Sequence, residues 1–118
     1  MMPENRRKFV RFNVEDILEI RALTEVAKKF RSVSRDFSLI GMCFFSDFKW
    51  DAGQVLMIEY FLPEDLEAVK IKANVVWSEF IDDRKGFLVG VEILDIDHKN
   101  ADKFTQYYFR KVRERFFE

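Results

Sequence analysis

One cysteine, Cys43, and one histidine, His98, are all that the 118 residues contain of either type. A single thiol excludes a disulfide within the monomer. A single imidazole leaves Cys-His or Ser-His nucleophilic catalysis little to work with, and zinc sites need clusters of both residue types. With four glycines and two prolines in the chain, no glycine-rich phosphate loop is present. Asp95-Ile96-Asp97 resembles the opening of a calcium loop, but Asn100 and Gln106 stand where Gly and Glu are required. No enzyme, metal or cofactor is expected. The chain also lacks a run of about 20 apolar residues that could span a membrane. Met1-Met2-Pro3-Glu4-Asn5-Arg6 lacks the apolar core of a signal peptide. The expected location is therefore the cytoplasm, without membrane insertion.

Charge of either sign is not in excess. Twenty basic and 21 acidic side chains give a net charge of −1, which argues against general affinity for long nucleic acids. The distribution is uneven, because Arg6, Arg7, Lys8 and Arg11 crowd residues 6–11 with no acid among them. Acid pairs such as Glu64-Asp65 and Asp82-Asp83 fall in turn signals, where solvation accounts for them.

What the chain has in quantity is apolar and aromatic surface. Hydrophobic residues make up 48% and aromatic residues 16%, with 14 phenylalanines, which excludes wholesale disorder. The length suits one domain burying about 65% of its unfolded surface. Residues 1–12 read as a flexible arm with Phe9 and Phe12 as anchors. From there to residue 96, period-2 alternation dominates. Strands are expected at Ile17–Arg21, Phe30–Arg35, Ile40–Phe45, Val55–Leu62, Val69–Trp77 and Phe87–Ile93. In the fifth, Val69, Ile71, Ala73, Val75 and Trp77 alternate with Lys70, Lys72 and Asn74, which places Trp77 inward. Asp82-Asp83-Arg84-Lys85-Gly86 is a hairpin connection. Short, regularly spaced strands without intervening helices predict a mostly β protein, a closed or nearly closed antiparallel barrel. From Asp97, a suitable N-cap, Ala101, Phe104, Tyr108, Val112 and Phe116 recur at helical spacing and predict a C-terminal helix over 97–118.

Two short motifs carry the chemistry. Arg7 and Arg11 form an Arg-x-x-x-Arg in the arm, and Asp36-Phe37-Ser38-Leu39-Ile40-Gly41 is an Asp-x-Ser-x-x-Gly at a strand end. Arg31 and Arg35 repeat the arginine spacing within a strand, where a structural salt bridge is the default. Guanidinium groups pair in fork geometry with phosphate, bond to guanine O6 and N7, and stack on flat rings. Asp36 can accept from the N–H groups of guanine's other edge, Ser38 offers a hydroxyl, and Gly41 allows close approach of backbone. Asp36 and Ser38 also fit a plain turn that bonds its own backbone.

In this order, these residues resemble the PilZ domain family of bacterial cyclic-di-GMP receptors. The similarity runs through Ala52-Gly53-Gln54-Val55, Val75-Val76-Trp77 and Gly90-Val91-Glu92-Ile93 to the closing helix. It implies a six-stranded antiparallel barrel with a C-terminal helix and cyclic-di-GMP as ligand. The implied site residues are Arg7 and Arg11, Asp36, Ser38 and Gly41, with Arg6 as an additional arginine. Ile40 stands where many relatives carry a second glycine, and Phe37 is bulkier than the usual aliphatic residue. The implied mechanism is closure of the arm over the ligand, presenting a new surface to a downstream protein partner. Two other readings keep the barrel: an adaptor that binds protein and no nucleotide, and a single-stranded nucleic acid binder, which the neutral charge disfavours. A homodimer through the helix is left open.

Overall fold

The structure is a computed structural model that describes residues 9–25, 28–65 and 67–117. Strands β2 (Ile17–Ala22), β3 (Phe30–Phe37), β4 (Gly41–Ser46), β5 (Val55–Phe61), β6 (Val69–Asp82) and β7 (Gly86–Ile96) form a closed antiparallel barrel. Their order is β3-β2-β5-β6-β7-β4, with β4 returning to pair with β3. An extra two-residue strand, β1 (Phe12–Asn13), continues the edge of β3 beyond β2, with Phe12 opposite Phe37 and Asn13 opposite Asp36. Helix α1 (Ala101–Phe116) closes one end.

Alternation builds the core directly. Leu18 and Ile20 of β2, Leu56 and Ile58 of β5, and Ile71 and Val75 of β6 all point inward and are buried. At the helix end the core turns aromatic. The Phe37 ring lies stacked against Tyr107 at 5.3 Å and meets Tyr60, Phe104 and Tyr108 at angled contacts of 5.7–5.9 Å. The bulk of Phe37 is thus spent inside the barrel rather than on the outer wall.

Asp16 fastens the helix to the barrel. Its Oδ2 accepts hydrogen bonds from Tyr60 of β5 (2.6 Å) and Tyr107 of α1 (2.7 Å). Asp16 is only 6% exposed, so the two phenols supply the polar partners that a buried carboxylate requires. Burial, followed by the Asp16 carboxylate, pushes both phenols well above the ordinary tyrosine range.

Three sequence expectations are corrected. Trp77 does not face inward: the β6–β7 register slips between Val75 and Trp77, so Val75 is buried while Trp77 is 36% exposed. A bulge of one residue reverses the faces of everything beyond it. The helix starts at Ala101 rather than Asp97, because the carbonyl of Asp97 closes a turn with the N–H of Asn100 (3.1 Å). Asn100 then makes no side-chain cap and donates instead to the carbonyl of Ala68 (3.2 Å). Finally, Phe116 is exposed beyond the barrel, whereas Tyr107 joins Phe104 and Tyr108 on the buried face.

Candidate functional site

The candidate site forms where β1, the β3–β4 turn and the middles of β6 and β7 meet on the outer wall. Pairing of Phe12 with Phe37 brings the preceding residue, Arg11, alongside Asp36. The guanidinium donates from Nη1 to Asp36 Oδ1 at 2.7 Å. Asp36 Oδ2 accepts from Arg35, from Nε at 2.9 Å and from Nη2 at 2.8 Å. Neighbours in a regular strand point to opposite faces, but the register of β3 shifts between Ser34 and Asp36, which lets Arg35 turn back on Asp36. The carboxylate is 2% exposed, whereas the Arg11 and Arg35 side chains are 41% and 50% exposed. One buried anion thus holds two cations whose outer faces remain open to an anionic ligand.

Ser38 closes the turn. Its Oγ accepts from the N–H of Ile40 (3.2 Å) and donates to the carbonyl of Gly41 (3.4 Å). Its own N–H also donates to that carbonyl at 2.8 Å. The hydroxyl is buried and serves its own backbone, the turn chemistry that sequence alone left as an alternative. Gly41 is required by crowding: a Cβ there would lie 2.7 Å from the Val91 carbonyl oxygen and 3.1 Å from Nη2 of Arg11.

A second glycine seats an aromatic ring. The Trp77 indole lies across Gly90, where a Cβ would fall 2.3–2.6 Å from ring atoms. Arg11, Ile40, Gly41, Trp77, Gly90 and Glu92 line the resulting cleft, which is shallow at about 30 Å³. Glu92 Oε1 accepts from Asn74 Nδ2 at 3.2 Å. Cys43, paired with both Asp36 and Gly90, has its thiol pushed up to about 11 by burial first and the Asp36 carboxylate second.

Helix α1 holds the chain segment that delivers Arg11. Phe9 and Phe12 pack against Tyr108 at 6.2 and 5.3 Å. The Tyr108 hydroxyl donates to the carbonyl of Val10 (2.8 Å). Arg115 donates to the carbonyl of Arg11 (3.4 Å) and lies over the Phe12 ring.

Of the six residues singled out in the sequence, Arg11, Asp36, Ser38 and Gly41 come together here. Arg6 and Arg7 lie outside the described residues. Arg35, expected from the sequence to form a strand salt bridge, forms one with Asp36, whereas Trp77, expected in the core, stands on this outer wall. The isolated Gly90 within an apolar strand was the available signal, since such a glycine marks close approach of another group. Among the described residues no cluster of His, Cys, Asp and Glu could hold a metal ion, and no helix is long and apolar enough to cross a membrane.

The sequence matches the PilZ domain family over residues 5–110, and the chain belongs to that family. A search of curated proteins gives no match. Among solved structures, the Bacillus subtilis Inhibitor of motility (MotI/DgrA) is similar with a TM-score of 0.74 and 18% identity. That likeness covers 98% of this chain and 58% of that one, so the chain spans little more than half of that protein's length. The PilZ domain of YcgR from Escherichia coli, solved with c-di-GMP, is similar with a TM-score of 0.65 and 16% identity, covering 93% of this chain and 96% of that one. At such identities the likeness is one of fold.

Proposed function

We propose that this protein is a non-enzymatic receptor for cyclic-di-GMP, bound on the outer barrel wall and clasped by the arginines of the N-terminal segment. The observation that carries this reading is the Arg11–Asp36–Arg35 group standing on the same wall as the Trp77 ring seated over Gly90. The two guanidinium groups offer open donors to phosphate, and the indole offers a flat face to a purine. Asp36, buried beneath the two guanidinium groups, orients them toward the ligand. Ser38 acts indirectly, holding the turn that keeps Gly41 against β7. Arg6 and Arg7 supply further cations to the phosphates. Family membership supports this reading, as does the likeness to a domain solved with the same dinucleotide. Because the Val10 and Arg11 carbonyls are bonded to α1, closure over a ligand alters the surface shared by the segment and the helix, which a downstream protein then reads.

Titration calorimetry with cyclic-di-GMP tests the site. Binding is expected to weaken with added salt and to be lost in Arg7→Ala and Asp36→Ala. Unchanged affinity in both variants rules the site out. One observation favours the adaptor alternative: Arg11 is already satisfied by Asp36 at 2.7 Å, as an incidental structural pair would be. A protein of that kind gives no heat at micromolar ligand.

A further inference from the structure

Strand β6 is longer than the barrel needs. Its pairing with β5 ends at Asn74 opposite Val55, and the last backbone bonds on that side join Val75 to Gln54 (2.9 Å) and Gly53 (2.8 Å). Beyond Val75 the strand runs on to Asp82 and pairs with β7 alone. Among the described residues nothing pairs with its other edge, so about 20 Å of strand presents unpaired N–H and C=O groups. Natural proteins usually blunt such edges with proline, lysine, bulges or covering loops; here the register shifts after Val75 and after Phe80, but no proline or lysine stands between Val76 and Asp82. This edge carries Trp77, Phe80 and Ile81 at 36%, 56% and 37% exposure. Phe80 rests edge-on against Phe87 at 5.5 Å, which fixes its ring in place.

The charge along the edge has one sign. Glu79 and Asp82 are the charged side chains between Val76 and Asp82, and Asp83, Arg84 and Lys85 form the turn beyond. Trp77 and Glu79 share one face, joined by Asp82 because the register shifts again between Phe80 and Asp82, and Ser78 and Phe80 share the other. A strand laid alongside would thus meet an acid next to an aromatic ring on one face, where lysine or arginine fits both. On the other face it would meet the exposed Phe80 ring beside the small Ser78. We infer that this edge takes up, by strand addition, an extended segment of another protein in which basic and apolar residues alternate.

A second copy of the chain fits less well. Two-fold antiparallel pairing sets one residue opposite its own mate. Centring on Ser78, Glu79 or Phe80, the registers of greatest overlap, places the two Glu79 side chains opposite or diagonal to one another, where like charges repel.

The probe is a fluorescein-labelled nonapeptide alternating lysine and valine, titrated by anisotropy into the full chain without nucleotide, so the outcome is independent of cyclic-di-GMP binding. Its glutamate–valine counterpart is expected to bind at least tenfold more weakly. Of two lysine–valine peptides, N-methylated on the lysine or on the valine amides, one is expected to lose binding. The surface variant Glu79→Lys/Asp82→Lys should exchange the preference, with its thermal melt confirming that it is folded. Hydrogen exchange should slow at alternate amides between Val76 and Asp82. The inference is overturned by no binding of the lysine–valine peptide, by equal binding of both charge types, or by protection elsewhere. Sedimentation showing a dimer that Phe80→Ser abolishes would assign the edge to a second copy and also overturn it.

Discussion

The indole of Trp77 occupies the space that a side chain on Gly90 would need, with Cε2 only 2.3 Å from the position of an added Cβ. The two residues sit opposite one another on β6 and β7, so the ring is held flat on the barrel wall by the neighbour's missing atom. Any alanine at this position must evict the ring.

Gly90→Ala is therefore expected to fold with a stability loss of about 1–3 kcal/mol, the usual cost of overpacking. Its tryptophan emission should shift to the red as the indole moves into water. Trp50, buried at 6% exposure, supplies a constant background. Urea titration read by fluorescence checks both effects. An unchanged midpoint and spectrum would show that the ring is free to move.

Asp36 sets up a test of non-additivity. Arg11→Ala or Arg35→Ala alone leaves the buried carboxylate one cation, and since each guanidinium is about half exposed the loss should be about 1 kcal/mol. Removing both strands the charge and is expected to cost about 3 kcal/mol or more. A double-mutant cycle in urea, with the double loss exceeding the sum of the singles, is the expected result. Simple additivity would mean that water serves the carboxylate as well as arginine does.

Alkaline stability follows from Tyr60, Tyr107 and Cys43. All three hold their protons more tightly folded than unfolded, where cysteine releases near 9 and tyrosine near 10. Above those values the unfolded chain binds fewer protons than the native one, so stability falls as pH rises. The contribution is complete below pH 9, starts to decline there, and declines more steeply above 10. Tyr107→Phe should lower stability at pH 8 by about 1–3 kcal/mol, by removing a donor from a buried carboxylate, and should make the alkaline decline shallower. Urea midpoints from pH 8 to 11 measure both.

Tyr108→Phe removes the bond to the Val10 carbonyl while keeping the ring contacts with Phe9 and Phe12. A modest loss of about 0.5–1.5 kcal/mol is expected. Hydrogen exchange should quicken selectively at Phe12 and Asn13. Uniform quickening across the barrel would show that the tie serves global stability rather than this segment.

The barrel was legible because most of its strands alternate and Ile40–Phe45 is a continuous apolar run; the six main strands lie near where those patterns put them, although β6 runs on past Trp77 to Asp82. β1 was not, since two residues carry no period. Trp77 shows the limit of alternation: one slip after Val75 reverses the inference for that residue, and nothing in Val75-Val76-Trp77 announces it. Arg35 makes the salt bridge expected of it, but with a neighbour that only the shift in β3 brings to its face. The Arg11–Asp36 meeting depends on the register of Phe12 against Phe37, a tertiary fact beyond local reading. The helix onset moved because Asp97 closes a turn with Asn100, whose side chain bonds to Ala68, 32 residues away.

The carboxylate at position 16 takes its two phenol partners from 44 and 91 residues further along the chain. A polypeptide still being synthesised can bring in the first long before the second. Until residue 107 clears the ribosome, the aromatic floor around Phe37 stays wet and the acid stays half-dressed, so the nascent sheet should remain open and easily cut by proteases. Folding to the finished domain is thus a late, concerted event set by long-range closure.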